Sequence, residues 1–364
     1  MKKLFLLLIA ATCLRLTVFG QFTDDTNKQF FTLTDTVIHT SVKDQALSPT
    51  CWVFGTNSLF ESDIARLYNL RFNLSEMFIA RYAYIDKALR YLETGGTTYF
   101  EGGGQFHDVI RVVRKYGIVP EDVYPGLPDD NISHNHEKLD TAMQQLVRGF
   151  LHKGTRQPDN TQIKQMEDTL DKYLGVVPES FRYAESNYTP LSFAAAWFPY
   201  ANDYAELVSF ADHPLYQQFI LKDKYNWADD SFYNISLDDM KMVVDSALHN
   251  GWSVGWEGDV TEPGFNNYQG IAATDYVTRH YDEERLENYK SEQTERDHML
   301  HITGIARDET GKTWYYMKNS WGTWLNPYQG FIYMNENYFR LKTVILFVNK
   351  RGLPEVLRNK LGLD

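Results

Sequence analysis

The sequence predicts an α+β protein, and three patterns predict it. Behind Cys51, the residues Phe60, Ile64, Leu67 and Tyr68 recur at spacings of four, three and one, the apolar stripe of a buried helix. Further along, Leu139, Met143, Leu146 and Val147, then Ile163, Met166, Leu170 and Leu174, repeat at the same helical period. Near the C-terminus, the stretches from His298 to Gly304 and from Trp314 to Gly322 are rich in β-branched and aromatic residues, the composition of strands. At 364 residues the chain is long enough for one large domain or two ordinary ones with a real core. With 43% hydrophobic and 23% charged residues it is neither collagen-like nor wholly disordered. An aromatic share of 15% points to large packed surfaces and a cleft.

The first element is not part of the fold. Residues 1–20 begin with Lys2-Lys3, continue with an apolar run from Leu4 to Ala11 and end at Gly20. A basic start, a short apolar centre and a small residue describe a secretory signal, with cleavage near Gly20–Gln21. The run is too short to span a bilayer, and Arg15 interrupts the residues after it. A lipid anchor at Cys13 is disfavoured by Thr12 before it. The expected location is therefore periplasmic or extracellular. Removal of the signal takes Lys2, Lys3 and Arg15 and moves the net charge from −12 to −15. It also takes Cys13 and leaves Cys51 as the one cysteine. Two cysteines already exclude a disulfide scaffold and a four-cysteine zinc site.

A lone cysteine is ordinarily a small buried hydrophobe. Its surroundings suggest more. Ser48, Pro49 and Thr50 are turn and N-cap residues, so Cys51 is placed in the first turn of the helix behind it. There the unpaired N–H groups and the helix dipole favour a thiolate.

Gln45, five residues, then Cys51-Trp52 opening a helix resembles the active-site segment of papain-like cysteine peptidases. The resemblance implies that Gln45 and the Cys51 backbone N–H form the oxyanion hole. It continues downstream. His298, six residues before Gly304, matches the family histidine, Asn319 the asparagine that holds the imidazole, and Trp321 the indole that shields it. His301 competes for the histidine role, but 298 and 301 differ by an odd number and face opposite sides of a strand. The same parity rules out a zinc site at His298 and His301. Glu101-Gly102-Gly103-Gly104-Gln105 resembles the glycine pair against which the substrate backbone lies, and Gly103 and Gly104 are carried over as substrate-binding residues. The implied fold is the papain-like one, with two lobes around a cleft.

Cys51 and His298 are 247 residues apart, against about 130–150 in papain itself. The extra residues point to a helical insertion. The organisation expected is a signal at 1–20, a helical lobe with the nucleophile at 21–125, a helical insertion at 126–245, and a β-rich lobe with His298 and Asn319 at 246–364. This enlarged plan resembles the bleomycin hydrolase and aminopeptidase C branch. It is carried by Gly103-Gly104-Gln105-Phe106, Lys115-Tyr116-Gly117-Ile118-Val119-Pro120, Thr189-Pro190-Leu191, Gly258-Asp259-Val260 and Leu353-Pro354-Glu355-Val356-Leu357. Ser48 and Glu101 stand where ordinary relatives have a cysteine pair.

Three departures matter. Pro49-Thr50 and Gly55 replace common family residues near the nucleophile, and Pro49 removes a backbone N–H and fixes φ. The tail beyond Leu357 is short against the branch's cleft-filling arm, which leaves aminopeptidase, endopeptidase and broader peptidase activity open. The activity implied is peptide-bond hydrolysis through a thioester on Cys51, needing no cofactor and no metal. The alternative is a papain-fold binding protein with weak or no catalysis. A transglutaminase-like acyl transferase fits the motif spacings less well. The expected partner is a peptide or protein substrate, and a homo-hexamer is implied by the resemblance alone. The acidic charge argues against nucleic acid. His134, His136 and Glu137, and the charged stretch from Asp282 to Asp297, read as solvated surface. Four Asn-x-Ser/Thr sequons, at Asn73, Asn131, Asn187 and Asn234, await a host that uses them.

Overall fold

The structure is a computed structural model that describes residues 30–128, 132–198 and 202–363. The signal reading at 1–20 and the Asn131 sequon lie outside the described residues. In chain order the helical lobe holds β1 (Phe31–Thr36), α1 (Cys51–Tyr68), α2 (Glu76–Glu93) and α3 (Phe106–Tyr116). The central part holds α4 (Glu137–His152), α5 (Asn160–Leu174), β2 (Phe181–Tyr183), β3 (Ser186–Tyr188), α6 (Pro190–Trp197), β4 (Tyr204–Val208), β5 (Gln218–Ile220), β6 (Ser231–Asn234) and α7 (Leu237–His249). The β-rich part holds β7 (Val254–Gly258), β8 (Phe265–Asn266), β9 (Ile271–Ala272), α8 (Tyr281–Lys290), β10 (His298–Asp308), β11 (Thr313–Lys318), β12 (Phe331–Asn335), α9 (Glu336–Lys342), β13 (Thr343–Asn349) and α10 (Glu355–Leu361).

Local chemistry sets several helix starts. Ser75 Oγ accepts the Phe78 N–H at 3.0 Å to open α2. Gln105 and Asp108 form a reciprocal cap at α3, and Asp159 and Gln162 do the same at α5. Thr189 caps α6, with Pro190 in its first turn. Gly117 ends α3 at φ +92°, and a Cβ there would lie 2.2 Å from the Pro190 carbonyl. Only glycine allows α3 and α6 to meet this closely.

The sheet runs β5-β6-β4-β13-β7-β10-β11-β12-β9-β8, with β1 added to β10. β10 is its longest strand: His298 to Ile302 pair with β7, and Gly304 to Asp308 pair with β1. Both faces of the sheet are covered, so its strands are apolar on both sides. Alternation along β13 shows this. Ile345 and Phe347 join the core of α1–α6, whereas Leu346 and Val348 join the core of α7, α9 and α10.

The central stretch differs from the expected helical insertion. It is helical through α4, α5 and α6, but β4, β5 and β6 extend the main sheet, with β4 antiparallel to β13 from Ile345↔Val208 to Asn349↔Tyr204. The run Tyr204-Ala205-Glu206-Leu207-Val208 is too short for its pattern to reveal its state, and its strand form is decided by the open edge of β13.

Phe347 joins these layers. It stacks on Phe106 at 4.8 Å and on Tyr204 at 4.9 Å, and it is 2% exposed. Phe347→Ala is expected to cost about 3–5 kcal/mol, read as a lower urea midpoint with an unchanged m-value.

Candidate active site

α1 starts at Cys51 because Thr50 supplies the first carbonyl: the N–H groups of Val53 and Phe54 donate to Thr50 O at 2.9 and 3.1 Å. The Thr50 side chain does not cap the helix. Its hydroxyl lies 2.5 Å from Ser48 Oγ, which donates to Gln45 O at 2.7 Å. Pro49 packs on the glycine loop, where a Cβ at Gly102 would meet it at 2.3 Å. The unusual Pro49-Thr50 pair is thus absorbed by a tightly bonded turn. Gly55 is absorbed as well, since a Cβ there would sit 3.4 Å from Met299 Cβ, an ordinary contact.

Helix α1 lies on β10. Met299 faces Gly55, and Ser58 Oγ is 2.8 Å from His301 Nδ1. His301 is therefore fully buried against the helix, whereas His298, at the first position of β10, is engaged by Asn319 instead. His298 Nε2 is 2.7 Å from Asn319 Oδ1. The Ser320 N–H also donates to that Oδ1, at 2.7 Å, which fixes the amide orientation. His298 Nε2 must then carry the hydrogen, and Nδ1 remains the basic nitrogen of the ring. The Trp321 indole covers the imidazole, with ring centres 4.4 Å apart. Asn319 Nδ2 donates to Asn267 Oδ1 at 3.2 Å, a contact no sequence motif announced.

Gln45 is held to the same segment. Its N–H donates to Ser320 O at 2.8 Å, and its Oε1 accepts from Ser320 Oγ at 2.7 Å. Its Nε2 donates to Ser48 O at 2.9 Å, which leaves the second amide hydrogen for a ligand. Ser320 thus ties Gln45 to Asn319. No pattern in the sequence singles out Ser320 for this role.

The electrostatics depart from expectation. Burial pushes the Cys51 thiol up to about 12, against the stabilising N–H groups of Met299 and Trp52, and the carboxylates Glu257 and Asp297 push the same way. Burial pulls His298 down to about 4, only partly opposed by Asn319. The helix start favours a thiolate, but desolvation outweighs it. Both shifts favour the neutral forms, although Cys51 itself keeps part of its surface exposed. Burial also raises Glu257 to about 7 and Asp297 to about 6.

The glycine loop abuts the start of α1. The Trp52 indole donates to Gly102 O at 2.9 Å, and a Cβ at Gly104 would meet that ring at 2.8 Å. The buried Lys87 ammonium donates to Glu101 O and Gly103 O and lies 5.2 Å from the Trp52 ring centre. Gly103 itself lies under two rings: a Cβ there would meet Tyr99 Oη at 2.9 Å and Tyr225 Cε1 at 3.0 Å.

Two surface readings are corrected in part: Glu137 is exposed as expected, but its neighbour is not. His136 is 2% exposed, because the backbone around it pairs with the nucleophile turn: Leu47 N–H donates to His134 O and His136 N–H to Leu47 O. The stretch 282–297 contains most of α8, and its Arg285 and Arg296 are buried. Arg296 pairs with Asp223, and its Nε is 3.7 Å from Glu257 Oε1. Among the described residues, no cluster of three His, Cys, Asp or Glu side chains could hold a metal, and no helix is long and apolar enough to cross a membrane.

Comparison with known proteins agrees with this architecture. Aminopeptidase G of Lactobacillus delbrueckii subsp. lactis is 23% identical over 360 residues, covering 86% of this chain and 82% of the relative. Cysteine proteinase 1, mitochondrial, of Saccharomyces cerevisiae is 24% identical over 395 residues, covering 92% and 79%. The crystal structure of PepW from Lactobacillus rhamnosis superposes with a TM-score of 0.74 at 20% identity, over 91% of this chain and 84% of that one. This shows a shared papain-like fold. Residues 90–363 match the Peptidase C1-like family, a span that holds His298 and Asn319. The chain belongs to the Peptidase C1-like family and is a cysteine-type peptidase.

Proposed function

We propose that Cys51, His298, Asn319 and Gln45 hydrolyse peptide bonds through a thioester. His298 Nδ1 takes the Cys51 proton as the sulfur attacks the scissile carbonyl carbon. The oxyanion is received by the remaining Gln45 amide hydrogen and the Cys51 N–H, an arrangement worth about 3–4 kcal/mol per donor in related chemistry. His298 then passes the proton to the leaving amine as the C–N bond breaks. A water, giving its proton to the same nitrogen, attacks the thioester and releases the acid and the thiol. The observation that carries this reading is the oriented His298–Asn319 pair tied through Ser320 to Gln45.

The names of the relatives support removal of amino-terminal residues as the activity. Wild-type protein is expected to release the first residue from peptides with a free amino end. Cys51→Ser is expected to lower turnover at least about a thousand-fold, with an unchanged circular dichroism spectrum. Full turnover in that variant would sink the assignment.

A second reading, a binding protein on the same fold, is favoured by the direction of both shifts, which work against a charged thiolate and imidazolium. Iodoacetamide separates the two. For the enzyme, Cys51 alkylation rises steadily from pH 6 to pH 9, since a thiol raised to about 12 ionises late. It also slows by more than about ten-fold in His298→Ala, because the base is lost. Alkylation indifferent to His298→Ala supports the binding protein.

We also propose that the protein acts outside the cytoplasm. The support is the Lys2-Lys3 start, the Leu4–Ala11 run and Gly20. Mass spectrometry of the protein purified from its natural host is expected to find an amino terminus near Gln21; an intact Met1 or Lys2 terminus on all of it would refute export.

A further inference from the structure

The segment from Leu221 to Asp230 lies beside the glycine loop, with Tyr225 against Gly103. It is anchored from several sides. Asp223 pairs with the buried Arg296 and accepts from Tyr289 Oη at 3.1 Å and from the Tyr225 N–H at 2.7 Å. Trp227 Nε1 donates to Asp108 Oδ2 at 3.0 Å, in the first turn of α3. Asp230 pairs with Arg111 on the same helix. Asn226 closes the segment on itself, with its side chain bonded to Leu221 O at 3.0 Å and to Asp230 O at 2.8 Å.

This frame holds the Tyr225 ring over Gly103, edge-on to Tyr99 with centres 5.1 Å apart. The Arg296 guanidinium lies over the Tyr225 ring, 5.8 Å from its centre. The direction of the cleft is set by the chemistry. The leaving amine must take its proton from His298, so the leaving half of the substrate lies on the side of His298 and Trp321. The acyl half therefore runs the other way, along Gly104 and Gly103. Tyr225 stands on that path. Behind it is a cavity of about 490 Å³, lined by Lys222, Lys224, Tyr225, Glu295 and Arg296 among others but not by Gly103. The phenol ring is the partition between groove and cavity.

We propose that Tyr225, braced by Tyr99 and Arg296, is the specificity wall of the acyl side, and that it restricts substrates to peptides with one or two residues before the scissile bond. The wall acts by occupying space, so it sets substrate length without touching the reacting atoms. This rests on the peptidase reading above.

The test is a ladder of fluorogenic peptide amides with one to four residues on the acyl side, all with free amino ends so that only length varies. In the wild-type protein kcat/KM is expected to peak at one or two residues and to be at least ten-fold lower at four. Tyr225→Ala joins the groove to the cavity. It is expected to raise kcat/KM of the four-residue substrate at least ten-fold, while the one-residue substrate changes less than three-fold. Tyr225→Phe keeps the ring and is expected to keep the wild-type ladder. A flat wild-type ladder would overturn the wall and leave the peptidase standing. So would a Tyr225→Ala variant in which every substrate falls in proportion, the mark of a merely structural ring. Absence of turnover on every rung in the wild-type protein would overturn the hydrolytic reading, and the wall with it.

Discussion

The packing of α1 on β10 is the contact on which the site depends. It brings Cys51 against the Met299 N–H although the two lie far apart in the chain. A buried polar ladder runs behind it. Lys318 Nζ donates to Ser58 Oγ at 2.8 Å and to Thr40 Oγ1 at 2.9 Å, Thr40 donates to Glu61, and Lys43 bridges Glu61 and Glu76 at 3.0 and 2.6 Å. Lys318 immediately precedes Asn319, and Lys43 lies two residues before Gln45. Asn319 and Gln45, the proposed imidazole holder and oxyanion donor, thus adjoin one largely buried network. Polar groups at this depth are costly unless paired, so the network holds α1 and the strands in a single register.

The same burial acts on the proposed reacting groups. Desolvation disfavours both charged forms, and the nearest carboxylates, Glu257 and Asp297, add to it at the sulfur. A helix N-terminus alone would have drawn the thiol the other way. The sign of the outcome is decided by how much water the assembled lobes exclude, a quantity that no local pattern contains.

The central stretch shows how much can be shared between one segment and the rest of the fold. Its first half is helical and packs as its stripes require, with Leu139, Met143, Val147, Met166 and Leu170 buried. Its second half extends the sheet through β4 and covers Gly103 through Tyr225. The first behaviour was legible, because helical periodicity repeats over many residues. The second was not, because a five-residue strand and a single ring in a loop carry no period. The parity argument at β10 was legible for the same reason as the helices: side chains alternate along any strand, and His301 lies against α1.

What the sequence alone determined is local. The turn before Cys51, the helix behind it, the strands around His298 and Asn319, and the glycine run from Gly102 to Gly104 are each written in adjacent residues. Tertiary structure decided what those elements meet. Ser320 joins Gln45 to Asn319, Asn267 supports Asn319, Arg296 becomes a buried partner of Asp223, and Tyr225 closes over Gly103. Each of these depends on two surfaces coming together from distant parts of the chain. Burial, and with it the protonation of Cys51 and His298, exists only once they have done so.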